Sequence, residues 1–421
     1  MELNNLHKIK HLVVLMQENR SFDHVLGARP GVNGVAGTAA RGPLRGSSRF
    51  SRFEPGPPHD SAGIKMQING GAMDGFIEAY RNPPDGKHKD PANPQDVARF
   101  YEPNDLPVTS FLADRFAVCD AWFSSIPTST MPNRLYSMAG HSGGERETPV
   151  DLGVPVTTVF DLLEAKGVSW RIYSSGLSML LFVGNLGKKL DNLGKIKPRD
   201  RLKQDCLGGT LPTVSWVEPN WDWLPGANDD HPPAPIEAGQ NLIRETYLSV
   251  AFDAGVAWDD TVFVVTYDEH GGFYDHVSPP QVPVKQDDGF ETLGPRVPAI
   301  IASPYVAPGS VIGAKQAVQL DHCSVLKFIC EWQGLAPGDL SPRVAHQDTQ
   351  SLRLVLTDTP QARAPLPPDE LPVPAPPVGL EAAAEVSPLQ ANFRALGEHV
   401  KKTTKDSPEH KPLRDLAARI K

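Results

Sequence analysis

The chain lacks the features that would mark it as a disulfide-rich, membrane-spanning or general nucleic-acid-binding protein. It has only four cysteines in 421 residues and none forms a CxxC pair, so we expect neither a disulfide framework nor a structural zinc site. No apolar run approaches the roughly 20 residues of a membrane span. The net charge of −9 argues against general nucleic-acid binding and tight docking on anionic membranes. Transient membrane contact and the oligomeric state stay open.

The N-terminus also lacks the layout of a secretory signal peptide. It carries Glu2, it has no uninterrupted apolar region, and no small-residue cleavage site follows. We therefore expect a cytoplasmic protein. A secreted or periplasmic protein is the alternative if a leader has been removed.

Short apolar runs alternate with helical patterns along most of the chain. The runs are rich in β-branched residues, which is typical of strands buried on both faces of a sheet. They cover residues 12–15, 170–173, 213–217, 261–266 and 297–301. Helical patterns lie between them, as at 159–166 and 239–254. The alternation predicts an α/β layered fold with a mostly parallel sheet.

The composition changes near Thr359. Residues 360–377 are dense in proline and alanine, which predicts an extended linker rather than a regular core. The segment after it has weak helical periodicity and many lysines. We therefore predict a catalytic domain over residues 1–358, a Pro/Ala-rich linker over 359–387 and a C-terminal helical tail over 388–421.

Polar residues come immediately after two of the predicted strands. Glu18 and Asn19 follow the first strand, and Asp268 and Glu269 follow the strand over 261–266. Because ligands bind at the carboxyl ends of strands in parallel α/β sheets, these side chains are well placed to hold a cation. Adjacent acidic residues repel each other unless a cation or hydrogen-bond donors neutralise them. The alternatives are a helix cap at the first pair and a polar, Gly-rich turn at the second.

Three hydroxyls, an amide and an arginine stand together at residues 127–134, ahead of a predicted helix over 133–139. A helix N-terminus offers free N–H groups and the positive end of a dipole to an anion. A hydroxyl on this turn is a candidate nucleophile if something favours its alkoxide form. A Ser/Thr helix cap is the alternative. Arg134 would either bind phosphate or pair with a carboxylate in the core.

Histidines in polar settings are further candidates, although a lone histidine is more often a hydrogen-bonded structural residue. His231 is the stronger candidate for a functional histidine, because it lies in an Asp-Asp-His-Pro-Pro loop soon after the strand that ends at Val217. His59, in a Pro-His-Asp stretch, has less support.

Taken together, these segments resemble the phosphoesterase family that contains bacterial and plant non-specific phospholipases C and related acid phosphatases. The stretches that carry the resemblance are ENRSFDH at 18–24, TMPNR at 130–134, DHPP at 230–233 and DEHGGFYDHVSPP at 268–280. MDGF at 73–76 and RVPAIIASPY at 296–305 support it. The matching segments extend over most of the chain.

The resemblance implies a three-layer alkaline-phosphatase-like α/β fold, with a central, mostly parallel sheet flanked by helices. It implies that Thr130 is the nucleophile, because this residue holds the family's Ser/Thr position ahead of Asn133. Asn133 and His231 would contact the phosphoryl group, and His59 is a further match. The metal would be held by Glu18, Asn19, Asp268 and Glu269.

The predicted ligand atoms are almost all oxygens, which favours a hard divalent cation such as Ca²⁺, Mg²⁺ or Mn²⁺ over Zn²⁺. A cation beside Thr130 would favour its alkoxide, whose attack on phosphorus would give a phosphothreonine intermediate. His231 would protonate the leaving alcohol and then help water to cleave the intermediate.

The function expected from these residues is phospholipase C-type hydrolysis of a phospholipid phosphodiester. An acid phosphatase-like phosphomonoesterase is the alternative with the same core chemistry and a small phosphoester substrate. A sulfatase is disfavoured, because Thr130 cannot become the formylglycine that such enzymes use. An alternative of another class is a catalytically silent lipid- or phosphate-binding protein, which would not need a nucleophile.

Overall fold

The chain forms eight β-strands within the residues that its computed structural model describes, which are 6–44, 53, 55–86, 91–150, 152–184, 194–221, 226–361, 365–376, 387–403, 411 and 414. The strands are β1 (His11–Gln17), β2 (Ala117–Cys119), β3 (Trp170–Ser174), β4 (Ile196–Pro198), β5 (Val214–Val217), β6 (Thr261–Tyr267), β7 (Ala299–Ala302) and β8 (Val311–Ile312).

All eight strands belong to one sheet, in the order β4-β3-β5-β1-β6-β7-β2-β8. Strand β7 runs antiparallel to its neighbours β6 and β2, and the other neighbouring strands pair in parallel. The predicted α/β fold with a mostly parallel sheet is therefore confirmed.

Strands β1 and β6 lie side by side near the middle of the sheet and pair along their whole length. Every residue of β6 is buried, and so is every residue of β1 after His11. Their continuous apolar sequences are those of strands covered on both faces. Because both strands run in the same direction, the residues that follow Gln17 and Tyr267 meet at one edge of the sheet.

Helices fill most of the connections between strands. Among the described residues they are α1 (Phe22–Val25), α2 (Ser61–Ile68), α3 (Phe76–Arg81), α4 (Pro107–Arg115), α5 (Thr130–Ala139), α6 (Val159–Lys166), α7 (Arg201–Leu207), α8 (Ile236–Tyr247), α9 (His322–Gln333), α10 (Pro342–Ala345) and α11 (Pro388–Thr403). The helix predicted over 159–166 is α6, and the one predicted over 239–254 is α8 continued by a π-helical turn, Leu248–Asp253.

The segment predicted as a linker packs on the catalytic part of the chain where the structure describes it. Leu371 is buried, and the carbonyl groups of Pro368 and Pro372 accept hydrogen bonds from Arg244 of α8. No helix or strand forms over 365–376. The division into domain, linker and tail stays a prediction.

Helix α11 accounts for the first part of the predicted tail, and most of residues 404–421 lie outside the described residues. The helix buries four apolar side chains: Leu389, Phe393, Leu396 and Val400. Phe393 contacts the rings of Phe182 and Trp221, and the Asn392 amide bonds both backbone groups of Val150. This helix is therefore docked on the catalytic part of the chain.

None of the helices that the structure describes combines the length and the apolar character needed to cross a bilayer. All four cysteines are free and buried. Cys323 and Cys330 both lie on the buried face of α9.

Candidate active site

Three polar loops meet at the carboxyl edge of the sheet because β1 lies between β5 and β6. The loop after β1 carries Glu18 and Asn19, and the loop after β6 carries Asp268 and Glu269. The loop after β5 leads to Asp229 and its neighbours. The strand order thus brings together residues that are far apart in the sequence.

Backbone hydrogen bonds fix these loops against each other. The Glu18 N–H donates to the Asp229 carbonyl at 2.7 Å, and the Asn19 N–H donates to Oδ1 of Asp268 at 3.1 Å. Asn19 has a φ of 57°, in the left-handed region that asparagine tolerates better than most residues. This conformation lets Asn19 point its backbone N–H towards Asp268 while its amide faces Thr130.

Thr130 is the first residue of α5 and is buried beside Asn19. Its hydroxyl donates to Oδ1 of Asn19 at 3.4 Å. The predicted nucleophile and one predicted metal ligand, which are more than one hundred residues apart in sequence, are therefore in contact.

Asn133 has partners other than the predicted phosphoryl group. Its Oδ1 accepts from the Ile126 N–H at 3.1 Å, and its Nδ2 lies within hydrogen-bond distance of the carbonyl groups of Ile126, Thr128 and Ser129. The side chain is completely buried. Because both ends of the amide are used on the loop before Thr130, Asn133 holds this loop in place, and its contact with the phosphoryl group stays a prediction.

Arg134 pairs with carboxylates, the second of the two roles expected for it, rather than presenting its guanidinium for phosphate. Its Nε lies 3.3 Å from Oδ2 of Asp268, and its Nη2 lies 3.6 Å from Oε1 of Glu18. It also donates to the carbonyl groups of Met16 and Gln17 and stacks on Trp221, with Cζ 4.4 Å from the ring centroid. These bonds brace the end of β1 against α5.

We call Glu18, Asp229, Asp268, Glu269 and Arg134 the Arg134 cluster. Its four carboxylates are buried. Burial first, and then Asp268, raises the pKa of Glu18 well above its usual range. Burial raises the pKa of Asp229 and of Glu269 to about 8, with Asp230 and Asp268 respectively as repelling neighbours. A single arginine therefore does not offset the charge of this cluster.

His231 and His59 meet near this cluster, with ring centroids 5.6 Å apart and planes at 82°. Each Nδ1 lies against a backbone carbonyl, that of Pro232 or of Pro57, so each ring presents Nε2 as an acceptor when it is neutral. Burial, and then the charge of His59, lowers the pKa of His231 to about 3. His231 is therefore neutral at neutral pH, and its Nε2 carries a free lone pair.

The Gly271-Gly272 pair explains how the loop after β6 fits between two others. Both glycines have positive φ, and a Cβ on Gly271 would lie 2.2 Å from the Asn19 carbonyl oxygen. A Cβ on Gly272 would lie 2.6 Å from the carbonyl oxygen of Pro58. The pair therefore permits the close approach of the segments that carry Asn19 and His59.

Two residues of this site escaped the sequence analysis. Asp229 could not be selected as Glu18 and Asp268 were, because it lies in the loop around His231 and does not directly follow a strand. Trp221 has no sequence feature that indicates a functional role, because a single tryptophan in a loop cannot be distinguished from a core residue. Its contact with Arg134 depends on the fold alone.

A family model described as the phosphoesterase family matches residues 9–336, which hold every residue of the site described above. The chain belongs to the phosphoesterase family. It is thus a hydrolase that acts on phosphoester bonds.

Named relatives of this phosphoesterase are phospholipases C. Non-specific phospholipase C6 of Arabidopsis thaliana is 34% identical over 375 residues, covering 80% of this chain and 70% of its own. A non-hemolytic phospholipase C of Burkholderia pseudomallei is 31% identical over 391 residues, covering 76% and 54%. A solved alkaline-phosphatase-superfamily protein of Vibrio parahaemolyticus aligns over 78% of this chain and 67% of its own, with 11% identity and a TM-score of 0.36, too distant to add to the argument.

A second acidic group lies elsewhere in the same family motifs. We call Asp23, Asp275, His276 and Arg296 the Arg296 cluster. Ligand atoms of its two aspartates and its histidine lie within 4.8 Å of one another, close enough to hold a metal ion. However, Arg296 already donates to Oδ1 of Asp23 and of Asp275, at 2.9 Å each. This buried guanidinium serves as the cation of the cluster.

Proposed function

We propose that this phosphoesterase hydrolyses the phosphodiester of a phospholipid, in the manner of a phospholipase C, with Thr130 as nucleophile and a divalent cation as cofactor. The observation that carries the proposal is the contact between the Thr130 hydroxyl and Asn19, at the start of α5 and next to the Arg134 cluster. The names of the relatives support a phospholipid substrate.

The residues present fit a divalent cation. The Oε1 atoms of Glu18 and Glu269 are buried and make no hydrogen bond to any described residue. Carboxylate and amide oxygens are the ligands of hard cations, which favours Ca²⁺, Mg²⁺ or Mn²⁺ over Zn²⁺. When bound, the cation would act as a Lewis acid and favour the Thr130 alkoxide. Its proposed ligands are Glu18, Asn19, Asp268 and Glu269.

Thr130 is proposed to attack phosphorus in line, forming a bond from Oγ1 to phosphorus while the bond to the diacylglycerol oxygen breaks. In this scheme the proton of Thr130 passes to Nε2 of His231, which is unprotonated because burial lowers the pKa of the ring. His231 then gives this proton to the departing diacylglycerol oxygen. In the second step His231 takes a proton from water, whose oxygen bonds to phosphorus while the bond from phosphorus to Oγ1 of Thr130 breaks. His231 then returns this proton to Oγ1, and the phosphorylated head group is released.

Asn133 and Arg134, which follow Thr130 on α5, are already bound to groups of the protein. Arg134 is held by carboxylates, and Asn133 by its own loop. The N-terminus of α5, with its positive dipole end, remains to stabilise an equatorial phosphoryl oxygen. His59, in contact with His231, is proposed to bind the phosphoryl group from the side of α2.

The test compares wild type with Thr130→Ala and Thr130→Ser on p-nitrophenyl phosphorylcholine and on p-nitrophenyl phosphate, with and without a chelator. We expect activity on the diester, its loss in Thr130→Ala or with the chelator, and its retention in Thr130→Ser. Full activity of Thr130→Ala, with no effect of the chelator, would refute the mechanism.

The same assay decides between the alternative functions. Activity on the monoester alone would identify a phosphomonoesterase, which uses the same centre with a smaller leaving group. Metal-dependent binding of phosphate without turnover of either substrate would identify a silent binding protein.

A further inference from the structure

The helix that begins at Thr130 is capped by a residue from another segment. Ser129 is its N-cap residue, yet its side chain makes no capping hydrogen bond to the helix. The N–H of Met131, the second helical residue, donates instead to Oγ1 of Thr148 at 2.9 Å. Thr148 thus supplies the acceptor that an N-cap side chain normally provides.

Thr148 also holds Ser129 by two further bonds. The Ser129 hydroxyl donates to Oγ1 of Thr148 at 3.0 Å, and the Thr148 N–H donates to the Ser129 hydroxyl at 2.8 Å. Thr148 therefore binds the residue before Thr130 and the residue after it. The proposed nucleophile is fixed between two points that a single side chain controls.

The backbone N–H groups in the first turn of α5 show which donor the capping by Thr148 leaves available. Pro132 has no N–H, and the Met131 N–H is used on Thr148. The Thr130 N–H makes no hydrogen bond to any residue that the structure describes. The capping by Thr148 thus leaves a free N–H on the same residue as the proposed nucleophile, where it would meet a phosphoryl oxygen.

The segment that carries Thr148 is itself fixed on both sides. The preceding residue, Glu147, accepts from the Thr128 hydroxyl at 3.0 Å and from the Ser61 N–H at 3.0 Å. Two residues after Thr148, Val150 is held through its N–H and its carbonyl by Asn392 of α11. Thr148 therefore presents its hydroxyl from a well-anchored position.

We propose that Thr148 is a positioning residue of this enzyme: it caps α5 from outside and thereby aims the hydroxyl and the N–H of Thr130 at the substrate phosphorus. The inference rests on the proposed function, since it assumes that Thr130 reacts. It predicts an effect on turnover, whereas an ordinary helix cap would affect stability only.

The test uses Thr148→Val, which keeps the shape of the side chain and removes the hydroxyl. A misplacement of catalytic groups by about 1 Å costs on the order of 100-fold in rate, so we expect kcat to fall roughly 10- to 100-fold. KM should change little, because the misplaced groups act chiefly on the transition state. Thr148→Ser keeps the hydroxyl and should restore most of kcat.

Thr158→Val is the matched control. Thr158 is buried and caps α6 through its hydroxyl, which accepts from the Asp161 N–H. The same chemical change is thus made at a helix cap that lies outside the proposed site. We expect both valine variants to lower Tm, and only Thr148→Val to lower kcat.

Ser129→Ala gives a second line of test that does not depend on the folding of Thr148→Val. It removes the hydroxyl that is bonded to Thr148 and should also lower kcat. If the single variants fold, the double variant should lose less than the product of the two single effects, because both act on one unit.

The outcomes separate this inference from the function on which it rests. If Thr130→Ala is inactive while Thr148→Val and Ser129→Ala keep kcat within about twofold of wild type, the positioning role is refuted and the nucleophile stands. Equal loss of kcat in Thr148→Ser and Thr148→Val would also refute it. If Thr130→Ala keeps full activity, the proposed function itself fails.

Discussion

Two groups of buried carboxylates share two sequence motifs but differ in how their negative charge is neutralised. Glu18 and Asp23 stand in the first motif, and Asp268 and Asp275 stand in the second. In the Arg296 cluster, two aspartates share one arginine at 2.9 Å, and Nδ1 of His276 lies 2.7 Å from Asp23. In the Arg134 cluster, four carboxylates face one arginine at 3.3 Å or more.

This difference indicates that the carboxylates of the Arg296 cluster are the structural part of each motif. Each aspartate of the Arg296 cluster is within hydrogen-bond distance of a guanidinium that the chain itself supplies, so the cluster ties the loops after β1 and β6 together. The Arg134 cluster keeps carboxylate oxygens without a hydrogen-bond partner among the described residues. We infer that the first cluster holds the motifs in place and the second is available to bind a cation.

The largest effect should come from removing the arginine of the structural cluster. Arg296→Ala leaves Asp23 and Asp275 buried without their cation, which costs on the order of 3–5 kcal/mol. We expect a large loss of the free energy of unfolding, measured by denaturant titration monitored by fluorescence. An unfolding midpoint equal to that of wild type would show that the Arg296 cluster is not structural.

A matched pair of aspartate variants should separate the two clusters by their readouts. Asp268→Asn removes the charge of a proposed cation ligand, so we expect activity to fall by about 100- to 1,000-fold. It weakens the pair with Arg134 but also removes a repelling charge, so its loss of stability should be smaller than that of Asp275→Asn. Asp275→Asn weakens a charged hydrogen bond to Arg296 and should cost about 1–3 kcal/mol of stability. Turnover of p-nitrophenyl phosphorylcholine and Tm are measured for both. Equal losses of Tm would contradict the division.

A smaller effect is expected from adding the cation itself. A ligand that binds only the folded state at 100 times its Kd stabilises it by about 2.7 kcal/mol. Ca²⁺, Mg²⁺ or Mn²⁺ added to chelator-treated enzyme should therefore raise Tm, and should fail to do so in Asp268→Asn. Asp275→Asn should still respond, which makes it the control. If Asp268→Asn responds as wild type does, the cation binds elsewhere.

Much of this architecture could be predicted because it depends on local patterns. The runs that became β1, β3, β5 and β6 are continuous and apolar, as buried parallel strands require. Strands β2, β4 and β8 have only two or three residues each, too few for any pattern. The antiparallel direction of β7 depends on how the chain returns to the sheet, which its own residues do not specify.

The residues of the site also divide into those that local patterns predict and those whose partners depend on the fold. Glu18, Asn19, Asp268 and Glu269 could be selected because they directly follow recognisable strands. The partners of Asn133 and Arg134 could not, because an amide or a guanidinium suits phosphate and protein groups equally well. Only the fold shows that these two side chains are already bound to the protein.

The smallest expected effect is a dependence of stability on pH that distinguishes the cation-free from the cation-bound enzyme. The pKa of Asp229 and of Glu269 is raised to about 8 in the folded state, so these two groups bind more protons in the folded than in the unfolded protein between about pH 4 and pH 8. In chelator, their contribution should lower Tm as pH rises through this window, against the opposite contribution of the buried His231 and His270, whose pKa is lowered to about 3. Saturating Ca²⁺ should weaken or reverse the trend, because a cation competes with protons for the carboxylates. Asp268→Asn should show a shallower fall in chelator, since Asp268 helps to raise the pKa of Glu18 and Glu269. The same dependence of Tm on pH in wild type and in Asp268→Asn, both in chelator, would show that Asp268 does not raise the pKa values of the Arg134 cluster.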